Sequence, residues 1–147
     1  MTVTHDTKVL NTLIATTLDS VKGYREAAEH SEAPTHQQFF VEMADERTRV
    51  ASDLQREVRS LGGEPETDSS TMGAVHRGWV DLKSAITGRD EQAIVNEVER
   101  GEDYIKSKFE AAMKDTELSQ PARVTLEQCY GSIRKGHDRA SAMKHAS

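Results

Sequence analysis

Three side chains able to ligate a metal ion interrupt otherwise apolar helical stripes in this 147-residue sequence. Glu102 falls between Val98 and Ile105, in step with Phe109, so its spacing points it inward. His137 does the same between Ile133 and Ala140, and Glu46 stands three residues after Met43 and four before Val50, bordering an inner face. Thr17 breaks a fourth stripe between Leu13 and Val21. An ionised carboxylate taken from water without a partner is strongly unfavourable, so Glu46 and Glu102 need counter-charges or a metal. Two carboxylates and one imidazole suit iron, manganese or zinc.

Other candidates are weaker. His76 and Trp79 share a helix face at i and i+3. They line a small polar-aromatic pocket, or else Trp79 is a hydrophobic anchor with His76 at the surface; aromatic spacing of this kind favours the anchor. Glu26 and His30 are an i, i+4 pair that reads as solvated. Glu97, Glu99, Glu102 and Asp103 form an acidic run which, Glu102 apart, reads as a solvated face with Arg100 and Lys106 as local partners. Cys129, beside Tyr130 in a helical pattern, reads as a buried structural thiol. No glycine-rich phosphate loop, Cys-x-x-Cys pair or nucleophile elbow is present in the sequence.

These residues must be positioned by long helices. Apolar positions recur at three- and four-residue steps over about 6–30 (with Asp6 as cap), 35–61, 90–114 and 119–145. Pro34 follows the first break, Leu61-Gly62-Gly63-Glu64-Pro65 stops the second helix, Gly88 and Asp90 precede the third, and Ser119 with Pro121 opens the fourth. The connection over 62–89 is far longer than helix neighbours need. Within it, Met72, Val75, Trp79, Leu82 and Ile86 mark a short amphipathic helix over about 71–87. The expected fold is all-α: one domain over 1–147, a four-helix bundle whose long crossover sets the second and third helices parallel. The alternative is a five-helix bundle without the crossover. Glycines inside the helices at 23, 101, 131 and 136 each cost about 1 kcal/mol relative to alanine, and admit close approach of a backbone or of a ring such as Trp79.

Phe40-Val41-Glu42-Met43-Ala44-Asp45-Glu46-Arg47-Thr48-Arg49-Val50-Ala51 resembles the second helix of rubrerythrin-type ferritin-like proteins, and Gly101-Glu102 with Phe109 resembles their third. The whole chain is similar to a family of small bacterial ferritin-like proteins of unknown function. Leu61-Gly62-Gly63-Glu64-Pro65, His76-Arg77-Gly78-Trp79-Val80-Asp81-Leu82-Lys83-Ser84-Ala85, Gly88-Arg89-Asp90 and Glu99-Arg100-Gly101-Glu102-Asp103 carry that likeness. The resemblance implies that the six ligand positions of a di-iron site read Thr17, Glu46, Arg49, Glu102, Arg134 and His137. Arginine has no lone pair to donate and stays cationic. The site therefore reads as degenerate, with Arg49 and Arg134 replacing the missing positive charge by pairing with Glu46 and Glu102. The alternative keeps a reduced metal site of Glu46, Glu102 and His137.

Composition narrows the function classes. Lys+Arg 19 against Asp+Glu 25 gives a net charge of -6, which disfavours nucleic acid and anionic membranes as partners. No apolar run is long enough to span a bilayer, no secretory signal layout opens the chain, and one cysteine suits a reducing cytoplasm. The expected function is a non-enzymatic interaction or stress-associated protein without a cofactor, acting on itself as a homo-oligomer or on an unidentified protein. The alternative is a metal-binding protein or oxidoreductase.

Overall fold

The computed structural model describes residues 2–68, 79 and 82–146, among which every regular element is helical. The helices are α1 (Thr2–His30), α2 (Pro34–Ser60), α3 (Leu82–Thr87), α4 (Glu91–Met113) and α5 (Gln120–Ala146). Of the expected crossover helix only α3 falls among the described residues; Met72, Val75 and His76 lie outside them.

Local chemistry sets most of the helix ends. Pro34 occupies the first turn of α2, where a missing N–H costs nothing. At the other end Gly62 takes φ +84°, and the Gly62 and Gly63 amides bond back to the Arg59 and Val58 carbonyls. That pairing satisfies the last carbonyls of the helix and needs a residue without Cβ at its left-handed position. Asp90 caps α4 by accepting the Ala93 amide, and the Ser119 hydroxyl accepts the Ala122 amide at the start of α5. Asp6 corrects the expected pattern. It lies inside α1 rather than capping it, fully buried, and its Oδ1 accepts the Ser119 amide at 3.0 Å.

Side-chain pairs give the helix directions. Along α1 and α4, His5–Asp115, Tyr24–Glu102 and Ser31–Glu91 run in opposite order, so these two are antiparallel. His36–Glu91 and Arg47–Glu102 rise together, so α2 and α4 are parallel. Thr125–Glu57, Ser132–Glu46 and Arg139–Glu42 set α5 antiparallel to α2.

The core forms two apolar clusters. One gathers Leu10, Leu13, Ile14, Val50, Leu54, Ile105, Phe109 and Leu126; the other holds Tyr24, Phe39, Phe40, Met43, Trp79, Leu82, Ile94 and Val98. Trp79 shows why two helices carry glycine. A methyl at Gly23 would sit 2.5 Å from its ring and one at Gly101 2.6 Å from it. The indole lies between α1 and α4, edge-on to Tyr24 at 5.1 Å, and is 3% exposed. No helix among the described residues is long and apolar enough to cross a membrane.

Candidate functional site

Between the two apolar clusters lies a buried polar layer. Arg47 on α2 is wholly buried because it continues the stripe of Met43, Val50 and Leu54, at steps of four, three and four. Its Nη2 donates to Glu102 Oε2 at 2.7 Å and its Nη1 to Ser20 Oγ at 3.0 Å. Tyr24 donates its hydroxyl to Glu102 Oε1, so both carboxylate oxygens are engaged. The guanidinium lies 5.8 Å from the Tyr24 ring centre. Gly136 on α5 leaves room for it, since a methyl there would stand 2.6 Å from Nη2. Arg47 Nε has no hydrogen-bond partner among the described residues.

The electrostatics agree with that geometry. Burial presses the Arg47 guanidinium toward neutrality, but the adjacent Glu102 charge outweighs it and holds the group above its ordinary pKa. Burial first, and then the Glu102 charge, raise the Tyr24 phenol well above its usual value, so it remains a neutral donor. The centre is thus a four-residue network from three helices, internally charge-balanced and buried from water. A guanidinium is a permanent cation that neither accepts a proton nor ligates a metal, so Arg47 serves here as charge partner and hydrogen-bond donor.

The residues expected at the site scatter. Glu102 is the buried centre. Glu46 is half-buried and accepts from Ser132 Oγ at 2.6 Å. His137 lies near the surface, its Nε2 2.6 Å from Asp103 Oδ1. Glu46, Glu102 and His137 do not converge on a common ligand point among the described residues. Arg49 and Arg134 are both exposed, and the guanidinium paired with Glu102 is that of Arg47 instead. The reason is phase. Residues 46 and 47 both border the inner face of α2, and the guanidinium took the inside while the carboxylate went to the α5 side. Thr17 is buried, with its hydroxyl turned back to the Leu13 carbonyl at 2.7 Å.

The remaining candidates resolve individually. Trp79 is an anchor packed on Gly23, Gly101 and Tyr24, whereas His76 of the expected pocket lies outside the described residues. Glu97 is not part of a solvated face: it is 4% exposed and clamped by Arg100 through two bonds of 2.9 and 2.6 Å. His30 is exposed. Burial pushes the Cys129 thiol up to about 12, leaving it protonated and inert at neutral pH.

Several participants escaped the sequence reading. The Arg47 stripe was visible in the spacing, whereas Ser20 offered no signal. His5 is brought to Asp115 and Glu117, 110 or more residues away in the chain, where α1 meets the turn after α4.

The family model described as Domain of unknown function (DUF2383) matches residues 6–115, from α1 through α4. No curated protein matches the chain.

Proposed function

We propose, from the premise that this chain belongs to the DUF2383 family of unknown function, that it is a non-enzymatic ferritin-like four-helix bundle. It works by association with a second copy or another protein, in the cytoplasm and without a cofactor in its mid-bundle layer. The observation that carries the proposal is the wholly buried Arg47–Glu102 pair at mid-bundle, where a ferritin-like protein would keep its metals. A guanidinium bound to one carboxylate leaves neither the negative charge nor the free lone pairs that two dications require.

The ferritin-like connectivity is supported by the parallel run of α2 and α4, which obliges the chain between them to travel back along the bundle. Asn11 holds the start of that path, donating to the Glu64 carbonyl at 2.9 Å and accepting the Glu66 amide at 2.8 Å. Trp79 then meets α1 twelve residues further along that helix, at Gly23.

The test is metal analysis of untagged protein prepared without chelators, together with its mass in solution. The proposal expects no iron or manganese that depends on Glu102, and a discrete assembly or a co-purifying protein. Stoichiometric metal lost in Glu102→Gln and His137→Ala would establish the reduced Glu46, Glu102 and His137 site instead.

A further inference from the structure

A second group of side chains sits at the end of the molecule, away from the mid-bundle layer. His5 Nε2 and Asp115 Oδ2 are 2.7 Å apart, and one donor atom from each of His5, Asp115 and Glu117 lies within 4.8 Å of the others. A tetrahedral ion with bonds of about 2.0–2.1 Å spaces its ligand atoms about 3.3 Å apart, so the separations between these donors need to change by no more than about 1.5 Å. Asp115 is already oriented: its Oδ1 accepts the Glu117 amide at 2.9 Å, and Arg123 fixes the turn by donating to the Met113 and Asp115 carbonyls.

An independent observation comes from behind this turn. Asp6, next to His5, is fully buried with its carboxylate held against the same turn by the Ser119 amide. Its other oxygen, Oδ2, has no hydrogen-bond partner among the described residues. A buried carboxylate with one oxygen unpaired is unfavourable unless positive charge stands near it. The guanidinium on this turn, Arg123, is engaged with the Met113 and Asp115 carbonyls, and no hydrogen bond joins it to Asp6 among the described residues.

We propose that His5, Asp115 and Glu117 bind one divalent transition-metal ion of the zinc class at the turn that also holds the buried Asp6 carboxylate. Imidazole with carboxylates selects such an ion over magnesium or calcium. The bound ion clips the start of α1 to the turn between α4 and α5. The site shares no residue with the mid-bundle layer.

The experiment titrates untagged, chelator-treated full-length protein with Zn2+ by calorimetry, alongside thermal melts. One saturable equivalent is expected, weakened by at least about tenfold in His5→Ala and in the exposed-residue variant Glu117→Gln, and unchanged in Glu102→Gln. Asp6→Asn retains an acceptor for Ser119, so it should weaken Zn2+ binding while raising the metal-free melting temperature. No saturable binding, or binding that survives both His5→Ala and Glu117→Gln, overturns the site. Loss in Glu102→Gln alone would place the ion at mid-bundle and defeat the preceding functional proposal instead.

Discussion

Arg47 Nη2 lies 2.7 Å from Glu102 Oε2, and neither side chain reaches solvent. This pair joins α2 to α4 in the buried polar layer between the two apolar clusters. Its contribution is asymmetric, because forming it from solvated ions costs desolvation while breaking it strands a buried charge.

Glu102→Ala is therefore expected to destabilise the fold by about 3–5 kcal/mol. Replacing Arg47, Glu102 and Tyr24 together by Met, Leu and Phe should be neutral or stabilising by about 1–4 kcal/mol. Urea unfolding of both variants provides the comparison. A Glu102→Ala loss under about 1 kcal/mol, or a triple variant less stable than the single, would contradict this account of the layer.

Gly101→Ala should displace the Trp79 ring, which has no room for a methyl at that position. Overpacking of this kind costs about 1–3 kcal/mol. Trp79 is the sole tryptophan, so its emission reports the site directly. A red shift is expected in Gly101→Ala and Gly23→Ala, and an unshifted spectrum in both would argue against the sandwich.

Glu91 on α4 staples two other segments. It accepts from Ser31 Oγ at 2.6 Å and from the Glu32 amide at 3.0 Å, and lies 2.6 Å from His36 Nδ1. Burial raises its pKa, but these bonds from Ser31, His36 and Glu32 outweigh burial and leave it below the ordinary glutamate value. With the folded pKa depressed, the unfolded chain binds the proton more readily, so this stabilisation is complete above the unfolded value of about 4.3 and lost as pH falls through the folded one. Melting temperatures of wild type and Glu91→Gln should differ at pH 6 and converge in acid. A gap that widens on acidification would reverse the assigned sign.

Cys129 should resist thiol reagents in the native protein at pH 8 and react fully once urea exposes it. Burial both blocks access and keeps the thiol protonated, with its pKa pushed up to about 12. Rapid labelling of the folded chain would mean that this part of α5 opens more readily than its packing beside Ile133 and Leu126 implies.

Much of the architecture was legible in residue order. The three- and four-residue recurrence of Leu, Ile, Val and Phe marked four long helices, and Gly62-Gly63, Asp90 and Ser119 marked boundaries, because periodicity and capping are local properties. The glycines at 23 and 101 were recognisable as points of close approach, with Trp79 as the ring to fill them.

Which polar residue occupies the centre was another matter. Glu46, Arg47 and Arg49 fall within one helical turn, and a rotation of α2 by a single residue exchanges which of them faces inward. Sequence alone established that a carboxylate at Glu102 had to meet compensating charge inside a helical core. Only the tertiary structure chose Arg47, Tyr24 and Ser20 to meet it, and drew His5 to Asp115 across the molecule. The physical reason is range: helix formation follows from neighbours a few positions apart, whereas pairing of buried charges depends on the rotation and docking of whole helices.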